Sequence, residues 1–371
     1  MLFPRKNTLL LLAVTLLIAA WSGCSPLYNA LTSSHTLGET LLPASSTLPA
    51  GPVPLVRAHA HNDYQHDRPL QDALDRGFTS VEADIYLING ELLVAHDLEG
   101  VQPGRTLQSL YLDPLRERVN RNGGQVYVNG PQFTLLIDIK SEAEATYTVL
   151  REVLKIYVVI LSTFGPDGPK GGPVIVIISG NRPREVMAIE TVRYAYFDGR
   201  LKDLGSDAPA TFIPLISDRW SAHFTWSGEG AMPPEERKKL IGIIDAAHAE
   251  GRRVRFWATP DKPSPARKAV WLELLAAGVD LINTDDLEGL QQFLLEHDPI
   301  LSRDGIGCQI MPRYPPGKRH YPVVWCLWYR RSLPRQLSAV SGQQSALSSH
   351  RSAQAARIAT PRPIISGRDS R

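Results

Sequence analysis

The stretch Ser80–Asp97 reads "SVEADIYLINGELLVAHD". Side chains alternate between the two faces of a β-strand, so Val81, Ala83 and Ile85 share one side and Glu82 and Asp84 the other. If helices cover the outer side of the sheet, the apolar trio faces them and the two carboxylates face inward. That doublet has two readings. One is an edge strand with a solvated acidic face. The other is a site where a divalent cation relieves the repulsion between poorly solvated like charges; hard ions such as Mg²⁺ and Ca²⁺ prefer carboxylate and amide oxygens. Gly90 marks a turn, and a hairpin there returns His96 toward the carboxylates. Asp97 then orients that ring or caps a turn.

Working outward, the same grammar repeats. Strands are expected at "VPLVRAH", "SVEADIYL", "ELLVAHD", "FTLLIDIKS", "PVIVIISG", "AYFDGR", "TFIPLIS", "RVRFWAT" and "VDLINTDD". Helical patterns lie between several of them, at "RPLQDALDRG", "SEAEATYTVLREVLKIYVVIL", "PPEERKKLIGIIDAAHAEG" and "SPARKAVWLELLAAG". Ser141 and the acids after it suit a helix N-terminus, and terminal glycines suit helix stops. Strand–helix alternation from Val53 to His297 predicts an α/β fold with a helix-covered parallel sheet, and the length suits a (β/α)₈ TIM barrel, typically ~250 residues. An open doubly wound sheet is the alternative, but no glycine-rich phosphate loop follows the first strand. "GPDGPKGGP" (165–173) and "WSGEGAMPP" (226–234) read as loops.

In "FTLLIDIKS", Asp138 and Lys140 share a face. They form either a simple ion pair at a strand end, or a third metal carboxylate and a cation for a phosphate oxygen. "RAHAHNDYQH" (57–66) ends the first strand in a polar cluster. Asn62 offers an amide oxygen to complete a metal shell. His61 and His96 suit the roles of base and acid on either side of a phosphorus, since imidazole titrates near neutrality. His59 shares the face of His61 and is the alternate catalytic histidine. Ser217, Asp218, Arg219, Trp220 and Trp257 either line a pocket or pack structurally.

Net charge is +2, which by itself implies no nucleic-acid partner. The distribution is uneven. Pro299–Arg371 carries twelve Lys/Arg against two Asp/Glu, which leaves −8 on Met1–Asp298. The N-terminus, with Arg5, Lys6, an apolar run and "WSGCSP", reads as an export signal of lipoprotein type (residues 1–24), followed by a linker (25–52). The barrel then occupies 53–298, and 299–371 is a basic tail of disordered composition. This predicts an exported, cell-envelope protein, anchored to a membrane surface through lipidated Cys24 or else secreted. Cys308 and Cys326 are then left to pair in the tail.

Together these motifs resemble the superfamily of phosphatidylinositol-specific phospholipases C and glycerophosphodiester phosphodiesterases, most nearly the altered inheritance of mitochondria protein 6 family. "HAHNDY" is similar to the segment that holds the catalytic histidine and metal-binding asparagine, at His61 and Asn62. "VEADIYL" is similar to the Glu-x-Asp metal pair, "VAHD" to the second histidine, and "LLIDIKS" to an acid-x-Lys strand. "GVDLINTDDLEGL" resembles the last barrel strand, where Thr-Asp is frequent. The resemblance implies a (β/α)₈ barrel and metal-dependent hydrolysis of a phospholipid or other phosphodiester, with Mg²⁺ or Ca²⁺ at Asn62, Glu82, Asp84 and Asp138. The His-Arg-Gly and Glu-Asn-Thr segments of glycerophosphodiesterases are absent, which leaves open a binding protein without turnover. A zinc-dependent amidohydrolase barrel is a third reading, and it needs His223 or His248 as ligands.

Overall fold

The computed structural model describes residues 51–301. Eleven strands occur there: β1 (Leu55–Ala60), β2 (Phe78–Ile88), β3 (Glu91–Val94), β4 (Phe133–Ile139), β5 (Thr163–Gly165), β6 (Gly168–Lys170), β7 (Val174–Gly180), β8 (Tyr196–Gly199), β9 (Leu215–Arg219), β10 (Arg253–Trp257) and β11 (Leu281–Thr284). Eight of them pair in parallel in the order β1-β11-β10-β9-β8-β7-β4-β2, and a β1–β2 pairing closes the ring. The result is a closed eight-stranded parallel barrel with helices between its strands, as the alternation predicts. β3 adds to β2 as an antiparallel hairpin arm, with Ile85 opposite Val94. The expected signal, linker and tail, with Cys24, Cys308 and Cys326, lie outside the described residues, apart from 51–52 and 299–301 at their edges.

Two apolar layers follow from period-two alternation. Phe133, Leu135, Ile137 and Ile139 of β4 face outward into the large core shared with the helices. Leu136 faces inward and joins Ile175, Ile177, Tyr196, Leu215 and Leu281 in a small plug inside the barrel. Val81, Ala83 and Ile85 are fully buried in the outer core, so Glu82 and Asp84 take the interior face. The interior is therefore apolar at its plug and polar toward the C-terminal ends of the strands.

Helix ends show ordinary capping chemistry. Ser264 accepts a hydrogen bond from Arg267 N at the start of the helix Pro265–Ala277, and left-handed Gly278 ends it. Asp286 caps Leu287–His297 through Gly289 N. The cap of Ala143–Ile156 is Glu142 rather than Ser141. Ser141 Oγ instead accepts from Leu87 N at 2.9 Å, tying the end of β2 to the β4 loop. The expected loop at 165–173 differs too: β5 and β6 form a small hairpin with Thr163 opposite Lys170. Its Gly and Pro content masks the strand pattern. No helix among the described residues is long and apolar enough to cross a membrane.

One ion pair of the shell makes stability depend on pH. His248 Nε2 lies 2.9 Å from Asp280 Oδ2, which also accepts from Val254 N at 2.8 Å. The hydrogen bond to Asp280 raises the His248 pKa, against a smaller opposing effect of burial. A raised folded-state pKa stabilises fully below the unfolded value near 6.5, and the gain is lost as pH rises through the folded value. The pair is partly solvated, so its contribution is at most about 1 kcal/mol. His248→Gln should thus lower the thermal midpoint at pH 5.5 and do so less at pH 8.5. Equal losses at both values would refute the pairing.

Candidate active site

Strand register brings the polar residues to one place. Asp84 of β2 lies beside Asp138 of β4 in the parallel ladder, and His59 of β1 lies between Ser80 and Asn283. Glu82, Asp84 and Asp138 each offer a carboxylate oxygen within 4.8 Å of the others. Glu82 and Asp84 are 4% and 0% exposed. Lys140 Nζ bridges the two aspartates, 3.0 Å from Asp84 Oδ2 and 3.1 Å from Asp138 Oδ1. His96, carried back by the β2–β3 hairpin, places Nδ1 3.4 Å from Asp84 Oδ2. Gly180 closes the floor beside them. A Cβ there would come within 2.1 Å of Asp138 Oδ1, and its φ of +68° favours glycine.

Glu82 sits one layer deeper, against a cation. Arg255 NH1 donates to Glu82 Oε2 at 2.7 Å, Arg255 Nε donates to Ser217 Oγ at 3.0 Å, and the guanidinium also donates to His59 Nε2. His59 Nδ1 is 2.7 Å from Ser80 Oγ. Burial, then the charge of Arg255, pulls the His59 pKa down to about 3, so the ring is neutral. With Nε2 accepting from Arg255, Nδ1 carries the proton and donates to Ser80. The 3.3 Å approach of Nε2 to Glu82 Oε2 then carries no proton. Burial pushes the Glu82 pKa upward, but Arg255 foremost, with His59 and His61, outweighs it and holds the group well below the usual range.

His61 lies at the rim. Its Nδ1 is 2.7 Å from Asp285 Oδ1, and its Nε2 is 4.0 Å from Glu82 Oε1. Burial lowers its pKa, but the Asp285 hydrogen bond and the Glu82 charge prevail, and the net shift is upward. Asn62 Nδ2 is 2.9 Å from the same ring nitrogen and 3.3 Å from Asp285 Oδ1. With Nδ1–H given to Asp285, the amide also donates to that carboxylate. The Asn62 carbonyl is turned inward by Tyr64, whose hydroxyl lies 2.7 Å from Asn62 Oδ1, 2.6 Å from Asp84 Oδ2 and 3.1 Å from His96 Nδ1. One phenol thus joins three predicted site residues into a single network.

The eight residues given catalytic or metal-binding roles from the sequence gather at this end of the barrel, at different depths. His61, Asn62, His96, Lys140, Asp84 and Asp138 surround the mouth. Glu82 and His59 lie beneath, and His59 is fully enclosed. Three further residues complete the network. Arg255 stands in "RVRFWAT", where the alternation puts it on one face with Arg253 and Trp257, but nothing local names its partner 173 positions away. Asp285 is the aspartate of the Thr-Asp pattern. Tyr64 is the last residue of "HAHNDY". Ser217 serves Arg255 rather than a pocket, and Trp220 is buried and stacked on Phe224. Asp218 faces His223 at 3.2 Å, and Arg219 lies 5.7 Å from the Trp257 ring. His223 and His248 pair with Asp218 and Asp280 and join no metal-type cluster among the described residues, which removes the amidohydrolase reading.

The donor set fits a hard divalent cation. Three carboxylates face two fixed cations, Lys140 and Arg255. Asp84 Oδ1 is buried and has no hydrogen-bond partner. Burial, then the charge of Glu82, lifts the Asp84 pKa to about 6 despite Lys140. Burial likewise raises the Asp138 pKa, with Lys140 opposing. Oxygen donors alone, with no cysteine and no ring nitrogen in the cluster, suit Mg²⁺ or Ca²⁺ better than a softer ion.

Residues 51–198 match the AIM6-like phosphodiesterase domain, and residues 253–288 match the glycerophosphoryl diester phosphodiesterase family. Altered inheritance of mitochondria protein 6 of Eremothecium gossypii is 31% identical over 270 residues, covering 64% of this chain and 69% of that protein. The homolog in Arthroderma benhamiae is 28% identical over 299 residues, covering 72% and 92%. A glycerophosphodiester phosphodiesterase of known structure from Agrobacterium tumefaciens is 14% identical, with a TM-score of 0.36 over 64% of this chain and 99% of that one. One from Parabacteroides distasonis is 13% identical, with a TM-score of 0.40 over 70% and 92%. The relatives correct one expectation. They are proteins of yeasts and other fungi named for mitochondrial inheritance, not bacterial envelope lipoproteins, so the exported, Cys24-anchored assignment is overturned. The chain carries a phosphodiesterase-type domain on a (β/α)₈ barrel and belongs to the altered inheritance of mitochondria protein 6 family.

Proposed function

We propose that this protein hydrolyses a phosphoric diester, such as a phospholipid or glycerophosphodiester, with Mg²⁺ or Ca²⁺ held by Glu82, Asp84, Asp138 and Asn62. The observation that carries the reading is the meeting of three carboxylates within 4.8 Å of one another, with His61 and His96 each against one of them. Bound there, the cation supplies Lewis-acid polarisation of a phosphoryl oxygen. Asp285 holds the Nδ1–H of His61, which leaves Nε2 to take a proton from the attacking oxygen, either water or a neighbouring hydroxyl of the substrate. His96 donates a proton to the departing alcohol. Lys140 sets a positive charge beside the phosphoryl oxygens as negative charge builds on them. His59 is a positioning residue. It is neutral and enclosed, and it braces the Arg255–Glu82 pair beneath the site.

The test is hydrolysis of bis(p-nitrophenyl) phosphate with and without a chelator. Turnover should need added Mg²⁺ or Ca²⁺ and fall about 10²–10⁴-fold in His96→Ala, the usual range for a lost acid–base group. Cation binding without turnover, on this ester and on a panel of lysophospholipids and glycerophosphodiesters, would show a binding protein instead.

A further inference from the structure

A second feature lies next to the carboxylates, on the far side of Gly180. A cleft of about 460 Å³ opens between the loops that follow β4, β7 and β8, with Ser141, Asn181, Arg182, Arg184, Phe197 and Lys202 among its walls. Its floor is fixed. Asn181 Nδ2 donates to the carbonyls of Lys140 and Ser141 at 3.1 and 2.9 Å. The cleft is therefore joined by a rigid backbone to the strand that carries Asp138 and Lys140.

The charges of this cleft are unevenly committed. Its two carboxylates are already engaged. Glu142 accepts from Glu144 N and Ala145 N, and Asp203 accepts from Arg184 NH1 and Arg200 N. Two cations are not so engaged. Arg182 lies 4.8 Å from the Phe197 ring, donates from NH1 only to the Gly180 carbonyl at 3.3 Å, meets no carboxylate within ion-pair distance among the described residues, and keeps a buried Nε without a hydrogen-bond partner. Burial, then the charge of Arg200, holds its pKa below that of an ordinary arginine, as expected for a cation short of counter-charge. Lys202 is exposed at the lip and has no ion pair among the described residues. A half-buried guanidinium without a carboxylate partner, beside an exposed ammonium likewise without one, suits a phosphate or another compact oxyanion.

We infer that the substrate carries a second anionic group, a phosphomonoester or similar oxyanion on one of its two alcohols, which Arg182 and Lys202 hold while the diester lies over Glu82, Asp84 and Asp138. The inference rests on the phosphodiesterase reading and narrows its substrate class. The Phe197 ring lies 4.8 Å from the guanidinium, within cation–π range. Arg184, held by Asp203, lines the wall without supplying a free charge. The cleft acts on binding and orientation of the remote group, so its contribution belongs in KM and in discrimination between substrates, not in the chemistry at phosphorus.

The experiment compares glycerophosphoglycerol with its phosphomonoester, which share one diester and differ by one phosphate, using the full chain with Mg²⁺. The phosphorylated compound should be preferred at least tenfold in kcat/KM, mostly through KM. Lys202→Glu, at an exposed position, and Arg182→Ala should each erase most of that preference and leave turnover of the unphosphorylated compound within about twofold. Equal kcat/KM for the pair, or a preference that survives both substitutions, overturns the inference. If neither compound is turned over, the phosphodiesterase reading fails by itself, and calorimetric binding of the same pair still decides. Tighter binding of the phosphorylated compound, lost in Lys202→Glu, supports the cleft as an anion site, and equal binding refutes it.

Discussion

Arg255→Met should destabilise the barrel by about 3–5 kcal/mol, the usual cost of leaving one partner of a buried ion pair alone. Arg255 and Glu82 are 4% exposed each, 2.7 Å apart, and among the described residues no other cation save the histidines lies within ion-pair distance of Glu82 once Arg255 is gone. The loss should appear as a fall in the thermal midpoint on the order of 10 °C for a domain of this size. Glu82→Met combined with Arg255→Met should recover much of that loss, because a buried pair is often replaced by apolar side chains without net cost. The double variant should nevertheless be inactive, since it lacks one proposed ligand of the cation. A single Arg255→Met variant as stable as the parent would mean that Glu82 is solvated or held otherwise than described.

The second large effect concerns the His61 ring. His61→Ala should lower kcat for bis(p-nitrophenyl) phosphate by about 10²–10⁴, the range for a general base. Asp285 is half exposed, so Asp285→Asn should cost less, about 10–100-fold, by freeing the tautomer that Asp285 fixes. The informative quantity is the combination. If Asp285 acts only through His61, the double variant should be no worse than His61→Ala, since groups that work as a unit are not additive. Multiplicative losses would separate Asp285 from the ring and place it in another role.

Much of this site is legible in the sequence because a β-strand has only two faces. Alternation alone sends Val81, Ala83 and Ile85 to the outer core and Glu82 and Asp84 inward, and the same rule pairs Asp138 with Lys140. The nine quoted strand segments each overlap a strand of the structure, although "TFIPLIS" (211–217) shares only its last three residues with β9. Alternation gives a side but not a depth. His59 and His61 share a face, yet one is sealed among Ser80, Glu82 and Arg255 while the other reaches Asp285 at the rim. Nor does it give partners across the ring. Asp285 meets His61 because β1 and β11 are neighbours, and Arg255 of β10 reaches Glu82 of β2 across the interior because β1 pairs with both β2 and β11, a long-range fact with no local signature. Glycine and proline, which carry no alternation to read, hide the hairpin β5–β6.

The most direct test of the carboxylate site is calorimetric titration of the purified chain with Mg²⁺ and with Ca²⁺, repeated on Asp84→Asn. Asp84 presents the buried oxygen that has no partner of its own. We expect one cation bound per chain at this site, with affinity reduced at least tenfold in the variant while the thermal transition remains cooperative. Absence of cation binding by the parent chain, or binding of equal affinity in Asp84→Asn, would contradict the account.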